Sequence, residues 1–335
     1  HELASTLSRL KPESTLFLDQ SESQKRQYID AETVFLALVK AKKTAAEVRG
    51  SMLWRELRGK RTLIRTSASG AQKSLGPHGD DTQAMYDSFV ARKTAAEQRL
   101  KAIKAQLAIQ QRLNRALRVG RVPNVVVGVI NALESIGLQE HFLVVGTHAL
   151  YAYGSAAGVR IAEEAMATRD VDMLFDTRKH ISFFTTMKKL DSSLIGVLRK
   201  VDPTFEVVED QLYTARNQDG FEVDISRRAA KDSDPHPLRM SDEDDDFGAV
   251  QVSMGERLQS ARRMDQVVVA TSGEMALMRT IHPLDFARIK LGLSQQLGRD
   301  PNKSGKDALQ SRIVTELVQE YLPHFLLATP DASDT

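Results

Sequence analysis

The chain has 335 residues, 41% apolar and 27% charged, with a formal net charge of +2, a composition that fits a soluble globular protein of two or more domains. No run of 18 apolar residues exists, which excludes a hydrophobic membrane helix. Cysteine is absent, which excludes disulfides, thiolate metal sites and cysteine nucleophiles and leads to the expectation of a cytoplasmic protein. The small net charge hides an asymmetry. Residues 1–122 carry 23 Lys/Arg against 12 Asp/Glu, net +11, and residues 123–335 carry 23 against 32, net −9. Such a split fits a polyanion-binding module joined to an acidic second part, or two solvated surfaces of opposite sign.

In chain order, residues 23–49 read as a helix ended by Gly50. "MLWRELRGKRTLIRTSASGAQKSLGP" scatters Trp54, Leu57, Leu63 and Ile64 among basic residues, and its turn-like "RGKR" and "SASG" predict a small antiparallel β element at about 52–75. From 82 to 119 a long pattern without Gly or Pro places Leu100, Ile103, Leu107, Leu113 and Leu117 at helical spacing. Pro123 opens a predicted helix, and the texture becomes α/β. "HFLVVG", "DVDMLF", "QVVVATSG" and "EMALMRTI" read as strands, "THALYAYG" and "HISFFTTMKKL" as helices, and "QLYTARNQDGFEVDIS" as a hairpin around Asn217–Gly220. Residues 227–248 are polar, and two helices close the chain.

The chemistry sits in three stretches. In "TRDVDMLFD", strand alternation points Asp170 and Asp172 to one face, about 6.6 Å apart, while Val171 and Met173 point into a core. "GFEVDISRR" repeats the arrangement, with Glu222 and Asp224 facing away from Val223 and Ile225. Half-buried carboxylates side by side repel and require a cation, and an oxygen-only donor set suits Mg²⁺. Upstream, "VVGTHAL" stops a strand at Gly146 and starts a helix near Thr147. Glycine lets a ligand approach the backbone, and free amides and a hydroxyl favour phosphate. A phosphate cradle, then D-x-D, then a single Asp on a later strand can hold a triphosphate and two metal ions for in-line attack by a hydroxyl.

At these residues the sequence resembles the polymerase-β-like nucleotidyltransferases, whose signature is strand–Gly–[Gly/Ser/Thr]–helix, then hDhDh, then hDh. It is most similar to a bacterial, uncharacterised branch with a basic N-terminal extension and a following "K-x-x-K-D-x-x-Q" helix, matched here by Lys303, Lys306, Asp307 and Gln310. The resemblance implies an α+β fold in three parts. These are a basic helical extension with a β-hairpin element (1–122), a nucleotidyltransferase core of mixed sheet and flanking helices (123–275), and a C-terminal strand and helical region (276–335). It also implies transfer of a nucleoside monophosphate from an NTP to an acceptor hydroxyl. Asp170, Asp172 and Asp224 would bind Mg²⁺ or Mn²⁺, and Gly146, Thr147 and His148 would lie at the phosphates. Lys290 and Lys306 would be basic residues directed to the triphosphate, each with a solvated helix face as the plain alternative. His148 could equally be bonded locally at the helix start.

The acceptors that the resemblance allows are RNA such as tRNA, a protein or a small molecule. The basic half favours nucleic acid, with Arg58, Lys60, Arg61 and Arg65 as the expected contacts. Toxin and phage-defence relatives in the superfamily imply an antitoxin-like partner. The alternative function is a catalytically degenerate scaffold that binds nucleic acid through its basic half. Other motifs carry less. "SGKDALQ" lacks the Ser or Thr of a phosphate loop, "DEDDD" lacks the spaced ligands of a calcium loop, and no H-x-x-x-H pair points to zinc. Arg169 is expected in a structural ion pair on the face opposite Asp170.

Overall fold

A computed structural model describes residues 16–57, 59–231, 234–243 and 245–327. Among these, the chain forms two compact units, Arg26–Val119 and the residues on either side of it. Strand β1 (Phe17–Asp19) precedes helix α1 (Glu22–Glu47). Strands β2 (Ser51–Leu57), β3 (Lys60–Thr66) and β4 (Gln72–Pro77) then form an antiparallel sheet in that order, followed by helix α2 (Asp80–Ala116).

In the first unit α1 buries Ala31, Phe35, Leu38 and Ala41, a stripe at helical spacing, and α2 buries Phe89, Ala96, Ile103 and Leu107. The Gln27 amide ties the two helices, donating to Gln110 Oε1 at 2.8 Å and Asn114 Oδ1 at 3.0 Å. Trp54 is half-buried in this element, its ring 4.9 Å from His78 and 5.9 Å from Tyr86. Of the expected nucleic-acid contacts, Lys60, Arg61 and Arg65 do not share one face of β3. Strand alternation sends Lys60 to the side opposite Arg61 and Arg65. The Arg65 guanidinium lies 4.4 Å over the Phe89 ring and donates to the carbonyls of Arg49, Ser51 and Thr66, so it is engaged within the fold. Arg61 covers Trp54 at 5.5 Å, Lys60 is exposed, and Arg58 lies outside the described residues.

The second unit continues with α3 (Asn124–Ser135), β5 (Phe142–Val145), α4 (Ala149–Ala157), β6 (Val159–Ile161), α5 (Glu163–Met166) and β7 (Asp170–Phe175). Next come α6 (His180–Leu190), α7 (Leu194–Arg199), β8 (Glu206–Val208), β9 (Gln211–Arg216) and β10 (Glu222–Arg227). The chain closes through β11 (Leu238–Arg239), β12 (Gly248–Gln251), α8 (Gly255–Ser260), β13 (Arg263–Val269), β14 (Met275–Ile281), α9 (Pro283–Ser294), α10 (Pro301–Tyr321) and α11 (His324–Leu327). The central sheet is mixed. β7 pairs antiparallel with β5 and parallel with β10, whose other edge takes β9 antiparallel along its first half and β12 parallel at its end. β13 and β14 pair as a hairpin across 275/276, where the sequence reading divides the chain.

The core forms where β5, β7 and β10 turn apolar side chains toward α3, α4 and α7. Val126, Val127, Leu143, Leu150, Val171, Met173, Ile195, Val223 and Ile225 are all buried there. Tyr153 is fully buried and its hydroxyl donates to the Ile281 carbonyl at 2.8 Å. The helix opened by Pro123 starts one residue later, with Pro123 as its N-cap. Among the described residues no helix is long and apolar enough to cross a membrane.

Candidate active site

The carboxylates come together because β7 and β10 are parallel and in register. Asp224 sits beside Asp172, and Glu222 beside Asp170. Val171 and Val223 lie on the buried face of the same strands, which fixes the acids on the other. One oxygen from each of Asp170, Asp172 and Asp224 lies within 4.8 Å of the others. Neighbouring hydroxyls orient two of them, Thr168 donating to Asp170 and Thr214 to Asp224 at 2.5 Å. Glu222 is drawn off by Arg216, whose Nε donates to it at 2.6 Å.

Three acids so close are costly to ionise together. Burial, then the charges of Asp170 and Asp224, push Asp172 up to about 7, against a smaller opposite pull from Lys290 and Lys306. Burial chiefly raises Asp224 as well, partly countered by the Thr214 hydrogen bond. A donor set of oxygens that resists ionisation until a cation arrives fits a divalent metal.

The turn after β5 faces these acids. Gly146 has φ of +65°, and a Cβ there would overlap Asp172 Oδ2, so only glycine lets this backbone and that carboxylate coexist. Gly146–His148 form a 3-10 turn that feeds α4. Thr147 is buried, and its hydroxyl oxygen accepts from Gln310 Nε2 at 3.1 Å. His148 is buried between Tyr151 and Phe221 and makes no capping bond through its side chain. Burial lowers it to about 4, outweighing the Asp170 carboxylate and main chain, so its imidazole is neutral at pH 7.

Helices α9 and α10 and the loop between them supply the cations. Lys290 donates to Asp307 at 2.8 Å, and Arg299 grips the other oxygen of the same buried carboxylate through its Nε at 2.6 Å. Lys306 donates to the Ala167 carbonyl at 2.8 Å. Both lysines remain close enough to pull on Asp172. The structure thus gathers Gly146, Thr147, His148, Lys290 and Lys306 around the three acids, with the lysines already engaged by protein groups. The sequence reading missed Arg299, Thr168 and Thr214, because strand and helix periodicity carry no signal for a hydroxyl or cation that touches an acid across elements.

Arg169 departs from expectation. Among the described residues it makes no ion pair, and it lines an open groove of about 1000 Å³ with Lys200, Asp202 and Phe221. Its side chain is exposed, and Asp202 in the same lining accepts from the Thr204 amide and hydroxyl and from the Asn217 amide. The 304–310 stretch is the interior of α10, not a phosphate loop. In the acidic run at 242–246, Asp246 caps α7, accepting from the Leu194 and Ile195 amides at 2.8 Å each.

The raised value of Asp172 predicts a pH dependence. The folded state holds a proton there up to about pH 7, whereas the unfolded chain releases it near 3.8. Without metal, stability therefore falls as pH rises from about 4 to 7 and levels off above. Melting temperatures of the metal-free protein across that range should decline, and Asp172→Asn should flatten the decline.

A family model described as "Nucleotidyltransferase" matches residues 124–333. No curated protein and no solved structure matches the chain. With most of the second unit inside that match, and the three acids, the Gly146 turn and α10 all within it, the chain belongs to the nucleotidyltransferase family.

Proposed function

We propose that the protein transfers a nucleoside monophosphate from an NTP to an acceptor hydroxyl, releasing pyrophosphate, and that the acceptor is RNA. The observation that carries the reading is the convergence of Asp170, Asp172 and Asp224 opposite a glycine turn that leaves no room for a side chain. The three carboxylates would hold Mg²⁺. Bound there, the ion neutralises phosphate charge and lowers the pKa of the attacking hydroxyl. Gly146 brings its backbone up to the substrate, and Thr147 donates a hydroxyl to a phosphate oxygen. Lys290 and Lys306 add positive charge beside the acids, and the neutral His148 keeps water from that wall. The support for RNA is the charge of the Arg26–Val119 unit, whose basic residues outnumber acids by eleven.

Three measurements test this. Thermal shifts with a non-hydrolysable NTP should be larger with Mg²⁺ than the sum of the two separate shifts, because carboxylates and phosphates need the cation between them. Equal shifts with and without Mg²⁺ would count against the site. For the acceptor, labelled NTPs incubated with total RNA and protein should label RNA. RNA affinity should fall by roughly 0.7–0.9 log units per log unit of salt for each phosphate contacted. A flat salt dependence removes RNA as the acceptor, and salt-dependent RNA binding without any transfer favours the degenerate scaffold.

A further inference from the structure

The observation lies on α10, far in sequence from the acids it serves. Gln310 is wholly buried, and its side-chain nitrogen donates twice, to Thr147 Oγ1 at 3.1 Å and to the Ala165 carbonyl at 2.9 Å. The second bond fixes the amide's orientation. Flipping the group would set its oxygen against the Ala165 carbonyl, acceptor to acceptor. In the orientation adopted, Gln310 Oε1 is buried with no donor. A buried acceptor left unpaired is a cost that a purely structural residue would have no reason to incur.

The consequence falls on Thr147. An amide nitrogen only donates, so the Thr147 oxygen is the acceptor in this bond and its proton points elsewhere. Among the described residues that proton has no acceptor. One helical turn before Gln310, Lys306 donates to the Ala167 carbonyl. Residues 306 and 310 therefore grip the 165–167 segment from one helix face, and that segment leads into Asp170. The phosphate turn and the strand of acids are both keyed to α10.

We propose that Gln310 is a positioning residue for the triphosphate: by occupying the Thr147 oxygen as acceptor, it leaves the hydroxyl proton aimed at a phosphate oxygen, and it holds the Gly146 turn in register with Asp170 and Asp172. This rests on the nucleotidyltransferase reading above and assigns the role to a residue that cannot touch the substrate from its buried position.

The test is calorimetric binding of a non-hydrolysable NTP with Mg²⁺ to the full chain, with melting curves alongside. Gln310→Met keeps the volume and removes the donors, and it should weaken affinity about tenfold, the loss of one hydrogen bond to a charged group. Thr147→Val should cost about the same, and the double variant should bind no worse than either single one. Losses that multiply in the double variant, or wild-type affinity in Gln310→Met, overturn the proposal and leave the nucleotidyltransferase reading standing. If Gln310→Met does not fold, Thr147→Ser against Thr147→Val decides. Serine keeps the hydroxyl and should bind like wild type, and equal affinity of the two overturns the role. A wild-type protein that binds no triphosphate overturns the underlying reading and this one with it.

Discussion

Asp172→Asn is expected to abolish nucleotidyl transfer, by at least about a thousandfold, while raising the melting temperature of the metal-free protein at pH 8. The two effects have one cause. Asp172 is the acid most raised by burial and by its neighbours Asp170 and Asp224, so at pH 8 its ionised form is a source of repulsion in the folded state. A carboxamide of the same shape removes that charge and the repulsion, and with them a metal-binding oxygen. Asp170→Asn should lose activity in the same way. The check is a transfer assay with labelled NTP on purified variants, with circular dichroism melts in EDTA. Full activity in either variant would contradict a metal held by the triad. A fall in the melting temperature of Asp172→Asn would mean that the carboxylate is anchored by cations more firmly than it is repelled.

Gly146→Ala is expected to cost activity about a hundredfold or more, with the fold retained at lower stability. Two penalties act at once. The residue sits at φ +65°, a conformation that costs an L side chain about 1–2 kcal/mol. The new methyl would also overlap Asp172 Oδ2, and that oxygen or the turn must move. Either movement separates the phosphate turn from the acids. Gly305→Ala is the control. It lies inside α10, where an added methyl would enter open space, and it should raise stability by about 0.5–1 kcal/mol without touching transfer. Equal activity of the two variants would show that the Gly146 turn does not shape the site.

The D-x-D face and the later single Asp were legible because a strand's period is two, and Val171, Met173, Val223 and Ile225 declare which side is buried. The long helices α1 and α2 were legible from unbroken spacing of apolar residues. What was not legible follows from distance in sequence. Asp246 caps α7 from across a loop, so its run of acids looked like solvated charge. The short pieces β1, β6, β11 and β12 have too few residues to show a period, and exist because a partner strand receives them. Arg65 read as a surface cation, yet its guanidinium serves three backbone carbonyls, which no pattern of neighbouring residues announces. Asp307 and Gln310 stood in a recognisable motif, but only the folded chain shows one clamping Lys290 and Arg299 and the other donating to the Thr147 hydroxyl oxygen.

The parallel pairing of β7 with β10 sets an order of events during synthesis. When Asp170 and Asp172 leave the ribosome, the strand that places Asp224 beside them is still some fifty residues from completion, and Gln310 is further away still. Parallel strands have no tight turn to bring them together, so this contact closes a long loop and comes late. A nascent chain halted before 300 would carry the acids and the glycine turn without α10 to register them. The arrangement of the site therefore waits on a residue 140 positions beyond Asp170, and a growing polypeptide that has made all three acids still lacks the helix that registers them.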